Sequence, residues 1–311
     1  MKRFAFAILG LALLTGVSTG CTSNTSAPAA APSSSSAAIA PASSASGTVS
    51  GSIAASGSSA LYPLVNAAAT QFKTDNPNVS MTIAAGGSGT GLNNVLAGTV
   101  DIGNSDVYAE EKLAATDAAK LVDHKVCLIG VSVIINSDVG ATVTNLTKDQ
   151  LKGIFAGTIT NWKDAGGPDE AITIVNRPSS SGTRALFTKW ALDGATSVEG
   201  DSSLQTDDSN ALLTTVGSTK GTIGYVAFSY LTAPVTGVSQ VQLDGIDPTY
   251  DNINNNTYPI WGYEHMYTNG TPNAQTQAFL DYMMSPAMLT QAESMGYGDP
   301  TKLNADAAAS R

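Results

Sequence analysis

Three short stretches of this chain combine hydroxyls with small residues at the point where a strand-like run gives way to a helix-like one. They are Ser56-Gly57-Ser58-Ser59-Ala60, Gly87-Ser88-Gly89-Thr90 and Arg177-Pro178-Ser179-Ser180-Ser181-Gly182-Thr183. A helix start carries free backbone N–H groups and the positive end of the helix dipole, and both favour an anion. Glycine lets an oxyanion come close to the backbone. Serine adds a hydroxyl donor in little space. Arg177 adds a planar, permanently charged fork that suits a tetrahedral oxyanion. Taken singly, each stretch reads as an ordinary helix cap. Three together, one with an arginine, read as an anion site.

Other chemistries find little support. The chain has two histidines, His124 and His265, and neither lies in a metal-ligand or triad-like pattern. Gly86-Gly87-Ser88-Gly89-Thr90 lacks the final glycine of a nucleophile elbow. The glycines from Gly87 meet Leu92 where a dinucleotide fingerprint needs a third glycine. No Walker A sequence is present, so an ATPase, if one is involved, is another chain. No general base for Ser59 or Ser181 is identifiable. We therefore assign no catalytic residue, metal or cofactor. Net charge is −10, from 15 Lys and Arg against 25 Asp and Glu, with no basic run. Nucleic-acid binding rests on phosphate neutralisation and is not expected. An anion must here be held by local donors against the bulk field.

The elements that would position these stretches alternate. Leu61, Leu64, Val65, Ala68, Ala69 and Phe72 share one helical face. Strands are expected at Val79–Ile83, Val100–Gly103, Val126–Ile135, Ile172–Val175 and Ile223–Val226. Helices are expected after Gly91, around Leu186 to Ala191, and in two pieces at the end, separated by Ser285-Pro286. With 42% hydrophobic residues in 311 and 30 glycines, this is a turn-rich α/β protein with mostly parallel sheets. Such sheets bind ligands where strand ends meet helix starts. Cys127, inside Val126-Cys127-Leu128-Ile129, reads as a buried strand residue. The acidic stretches at Asp207-Asp208 and from Asp244 to Asp251 read as solvated surface or turns, and Arg184 as a solvated helix residue.

The first 48 residues read differently. Met1-Lys2-Arg3 and the apolar run from Phe4 to Val17 form a signal peptide, residues 1–20, too short to span a bilayer. Gly20-Cys21 resembles a bacterial lipobox, with Cys21 as the lipidated first residue of the mature chain. Ser18 stands where lipoboxes usually carry Leu, so ordinary signal-peptidase cleavage is the alternative. Residues 21–48, almost all Ser, Ala, Thr, Pro and Gly, read as a disordered tether.

Several motifs together resemble the phosphate-binding proteins of bacterial phosphate ABC importers. They are Ser58-Ser59-Ala60-Leu61-Tyr62-Pro63, Gly87 to Gly91, Val100-Asp101-Ile102-Gly103-Asn104-Ser105-Asp106, Gly153 to Gly157 with Ile159 to Trp162, Arg177 to Thr183 and Gly221 to Tyr225. The resemblance spans nearly everything after the tether. It implies a two-lobe periplasmic-binding-protein-like (type II) fold with two crossover strands. Lobe I would be residues 49–130 plus 225–311, and lobe II residues 131–224. It implies that Ser59, Ala60, Ser88, Asp106, Arg177, Ser181, Gly182 and Thr183 hold the phosphate. Asp106 would accept the proton of hydrogen phosphate and repel sulfate, which has none to give. Ser179 stands where relatives often carry an acidic residue that braces the arginine. The implied protein is no enzyme. It sits lipid-anchored on the extracytoplasmic face of the membrane and hands phosphate to a permease and ATPase. Alternatives are another tetrahedral oxyanion, arsenate above all, or a surface phosphohydrolase or adhesin lipoprotein.

Overall fold

A computed structural model describes residues 49–198 and 203–311. The signal peptide, Cys21 and the tether lie outside the described residues.

Strand β1 (Gly51–Gly57) leads into α1 (Tyr62–Asp75), β2 (Val79–Ala85), α2 (Ser88–Leu96) and β3 (Ile102–Ser105). A short α3 (Ala115–Ala118) precedes β4 (Leu121–Asn136), which is followed by α4 (Ser137–Gly140), β5 (Asn145–Leu146) and α5 (Lys148–Phe155). Then come β6 (Thr173–Asn176), α6 (Gly182–Ala191), β7 (Ser203–Gln205), α7 (Ser209–Ser218) and β8 (Thr222–Ala227). The chain closes with β9 (Val238–Gln240), β10 (Gln242–Leu243), α8 (Tyr250–Asn254), β11 (Trp261–Asn269), α9 (Ala274–Met283), α10 (Pro286–Ser294) and α11 (Ala305–Ala309).

The expected helical face of α1 is the buried one, with Leu64, Val65, Ala68, Ala69 and Phe72 all inside. Pro63 at its start costs nothing, because a first-turn N–H has no partner to lose. The larger of these side chains contribute about 1.5–3 kcal/mol each when fully buried. They pack on β1 and β2 and against Phe279 and Leu280 of α9.

Sixteen-residue β4 organises the molecule. Its first part, Leu121–Gly130, pairs antiparallel with β11. Its last part, from Val131, pairs antiparallel with β8, and Ile134–Asn136 with β9. The strand thus changes partner from β11 to β8 at Gly130-Val131. There, a Cβ on residue 130 would collide with the Phe228 ring at 2.4 Å. Its run from Val126 to Asn136 is continuously buried, as a strand covered on both faces must be. The large sheet orders its strands β2-β1-β3-β11-β4-β8-β6-β7, with β9 beside β4. The expectation of mostly parallel sheets holds for the outer ladders, β2-β1-β3 and β8-β6-β7, and for the small β10-β5 sheet. The centre, β3-β11-β4-β8, is antiparallel. The reason is long β4, whose first part runs antiparallel to β11 and whose last part runs antiparallel to β8. The expected boundary at residue 225 falls inside β8, and β9 and β10 return to pair with β4 and β5.

Candidate anion-binding site

The strand–loop–helix word does what its chemistry requires. The Ser58 hydroxyl accepts from the Leu61 amide at 2.9 Å and so turns the chain into α1. Among the described residues the Ser59 and Ala60 amides have no backbone partner. Both residues are buried. Gly57 allows the turn: at φ +136° its backbone lies so close to β3 that a Cβ would meet the Asn104 carbonyl oxygen at 2.1 Å. Ser88 begins α2, and its hydroxyl accepts from the Asp106 amide at 2.9 Å. Ser181 caps α6, accepting from the Arg184 amide, and its own hydroxyl proton stays available.

These loops converge. Arg177, with no exposed surface, sends Nη2 to the Ser59 hydroxyl at 2.6 Å and Nη1 to the Ser209 hydroxyl at 3.2 Å. Asp106, also buried, accepts from the Thr183 hydroxyl at 2.6 Å. Gly182 sits so tightly against the facing lobe that a Cβ would meet the Ser88 hydroxyl at 2.1 Å. The Gly89 amide donates to the Ser180 carbonyl at 2.9 Å. Ser59, Ser88 and Asp106 from one lobe therefore meet Arg177, Ser181, Gly182 and Thr183 from the other. Ala60 stands beside Ser59, and its carbonyl accepts from Tyr297. All eight expected residues gather in one place. Among these eight residues two buried groups, Asp106 Oδ1 and Arg177 Nε, have no hydrogen-bond partner among the described residues.

A fourth loop, absent from the sequence reading, completes the ring. Residues Asp207-Asp208-Ser209 start α7, with Asp208 as its cap. Asp207 is not the solvated residue expected: its carbonyl accepts from Arg177 Nη2 at 2.8 Å, and its carboxylate lies 3.8 Å from the same nitrogen. It braces Arg177 from another strand end in place of the missing acid at 179. Burial raises its pKa, Asp106 adds to this, and the Arg177 charge opposes it. The word "hydroxyl at a helix start" was present in Thr206 to Ser209, but the acidic pair hid it. Arg184 is likewise tied in, donating to the Arg177 carbonyl at 2.6 Å. Lys112 reaches across to the Ser179 and Ser181 carbonyls at 2.8 and 3.0 Å. Burial lowers its pKa, and Asp106 foremost opposes that. Tyr230 donates to the Ser59 carbonyl at 2.7 Å, and burial pushes its hydroxyl up to about 12.

Support behind Arg177 is a packed aromatic group. Phe187 and Tyr225 stack with centroids 4.0 Å apart, and Phe155 packs on both. The Tyr225 hydroxyl donates to Asn176 Oδ1 at 2.7 Å, which also accepts from the Arg177 amide at 2.9 Å. The guanidinium is thus aimed by a rigid layer. Four helix starts and one arginine face a single point, which suits a small, multiply charged oxyanion. Among the described residues no group of three or more His, Cys, Asp or Glu is placed to hold a metal ion. Cys127 is fully buried in β4, as expected, and burial raises its pKa well above the ordinary thiol value.

Comparison with known proteins agrees with this geometry. The sequence model described as "PBP superfamily domain" matches residues 42–287. The chain is 50% identical over 230 residues to the phosphate-binding protein PstS of Bacillus subtilis (strain 168), covering 74% of each chain. Among solved structures it resembles a candidate phosphate ABC transporter substrate-binding protein with bound phosphate from Clostridium perfringens. That likeness has a TM-score of 0.71 at 29% identity and covers 80% of this chain and 99% of that one. It also resembles an ABC-type phosphate transport receptor from Vibrio cholerae, with a TM-score of 0.64 at 27% identity, over 80% of this chain and 100% of that one. The chain belongs to the PBP superfamily and, within it, to the family of the phosphate-binding proteins PstS.

Proposed function

We propose that this protein binds inorganic phosphate outside the cytoplasm and delivers it to an ABC-type importer. One observation carries the reading: buried Arg177 and the buried, half-partnered carboxylate of Asp106 stand together inside a ring of helix starts. The arginine answers the anion's charge, and the carboxylate answers its proton. Hydrogen phosphate near neutral pH has both. Sulfate has no proton and would leave two negative groups face to face.

Ser59, Ala60, Ser88, Asp106, Arg177, Ser181, Gly182 and Thr183 hold the ligand in this reading, with Ser209 added. Lobe I (49–130 plus 225–311) and lobe II (131–224) close over it, except that β9 and β10 ride with lobe II. Closure presents a surface to the permease and its ATPase. No catalytic step is assigned: the partners of the Ser59 hydroxyl are Arg177 and Ser209, and neither can act as a general base. Among the described residues no helix is long and apolar enough to cross a membrane. Membrane attachment is assigned to lipidated Cys21, following a signal peptide and preceding the tether.

The test is isothermal titration of anion-stripped protein with phosphate and then sulfate near neutral pH. Tight phosphate binding with little response to sulfate supports the reading. Folded, stripped protein that takes up no phosphate overturns it.

A further inference from the structure

A second carboxyl group stands behind the ligand-facing one. In the antiparallel ladder between β11 and β3, His265 pairs with Ser105, so Glu264 falls opposite Asp106. The close passage of β11 shows again two residues before Glu264, where a Cβ on Gly262 would touch the Asp106 carbonyl oxygen at 3.4 Å. Glu264 has no exposed surface. Neither of its carboxyl oxygens has an N–H or O–H donor among the described residues, and neither has Asp106 Oδ1. A fully charged pair of acceptor-only groups would leave three oxygens without a donor. A single proton shared between the two carboxyls serves both at once.

We propose that Glu264 is the positioning residue for Asp106: as a neutral acid it donates its proton to Oδ1 and holds that carboxylate as an acceptor toward the ligand. The proposal rests on the phosphate-binding reading. Each carboxylate oxygen offers two lone-pair directions, so Asp106 keeps acceptor capacity for the ligand's proton after taking bonds from Glu264 and Thr183.

The surroundings fix which carboxyl keeps the proton. Glu264 faces Asp106 from the loop after β3, Cys127 from β4, Tyr250 from α8 and Tyr297 from the loop after α10. Burial drives the pKa of Cys127, Tyr250 and Tyr297 well above their ordinary values, so they stay neutral and offer no balancing charge. Burial first, then the charge of Asp106 and hydrogen bonding to it, push Glu264 well above the usual carboxyl range. Asp106 also faces Thr183, Asp207 and Lys112 across the site. As pH rises far enough to ionise Glu264, two like charges confront each other and phosphate binding weakens.

Two variants and one spectrum test this in the full-length protein. Glu264→Gln keeps a donor that cannot ionise, and Glu264→Met keeps the volume but has no donor. Phosphate titrations from neutral to alkaline pH should show Glu264→Met weakened about 10-fold or more at neutral pH, the scale of a lost hydrogen bond to a charged group. Glu264→Gln should stay within about threefold of the parent and lose the parent's alkaline weakening. Infrared titration of the ligand-free protein should show a protonated-carboxyl band at neutral pH that Glu264→Gln removes. Phosphate affinity unchanged in Glu264→Met, coincident pH profiles for the parent and Glu264→Gln, or a missing infrared band would each overturn the proposal. A parent that binds no phosphate yet shows the band would instead overturn the functional reading and leave the carboxyl pair standing.

Discussion

Asp106 and Arg177 divide the recognition of one anion between them, and their substitutions should fail differently. Arg177→Ala removes a buried, hydrogen-bonded charge, so phosphate affinity should drop by about 100-fold or more in titration calorimetry. Asp106→Asn replaces an acceptor-only group by one that also donates. It should weaken phosphate and strengthen sulfate, measured as the ratio of the two dissociation constants, and an unchanged ratio would contradict the selectivity argument. Carboxyl titration also sets the pH dependence of stability. Glu264 and Asp207 both have folded-state pKa values raised by burial. The folded state therefore binds protons more tightly than the unfolded chain. Their contribution is fully present below the ordinary carboxyl values, about 3.9 for an aspartate and about 4.3 for a glutamate, and is lost as pH rises through the raised values. Urea midpoints of the ligand-free protein should fall across that window, and Glu264→Gln should flatten the fall.

At the scale of elements, the site is a meeting of helix starts, and glycine decides how close they come. At Gly182, the first residue of α6, an added Cβ would lie 2.1 Å from the Ser88 hydroxyl and 2.9 Å from Asp106 Cβ, closer than a methyl group can come. Gly182→Ala should leave thermal unfolding of the ligand-free protein nearly unchanged, because an open arrangement relieves the clash. Phosphate affinity should fall about 10-fold or more, because closure then requires displaced backbone. A binding isotherm equal to the parent's would refute this. Helix α5 offers a control remote from the ligand. Thr147 and Gln150 form a reciprocal capping box, each side chain accepting from the other's amide. Thr147→Ala should cost about 1 kcal/mol in denaturant unfolding and leave phosphate affinity untouched.

For the whole molecule, the bonds at the site, Arg177 to Ser59, Thr183 to Asp106 and Gly89 to Ser180, are joined by others outside it. Lys112 donates to the Ser179 and Ser181 carbonyls, and Lys189 pairs with Glu111 at 3.3 Å. Lys112→Met should raise the phosphate dissociation constant about three- to tenfold, mainly through faster release in stopped-flow displacement. A slower association rate with unchanged release would point to charge steering instead. The crossover at Gly130-Val131 places Phe228 over a residue without a side chain, so the lobes share a packed joint rather than a loose linker.

Much of this protein is local chemistry and was legible in the chain itself. The buried face of α1, the apolar run of β4, the helix starts at Ser88 and Ser181 and the eight gathered residues follow from periodicity, hydroxyl placement and family motifs. Strand β11 was not legible, because Glu264 and His265 interrupt its apolar pattern while the fold buries both. Asp207 was misread for the same reason: an acidic pair at a helix start is solvated unless a distant arginine lies against it. The antiparallel centre of the sheet was invisible because strand direction is set by partners far apart in sequence, such as Trp261 against Gly130. The sequence by itself determined which groups can meet an anion and which segments bury their faces. Only the tertiary structure decided which carboxylates meet Arg177 and Asp106, because burial and proximity across the lobes are properties no single segment carries.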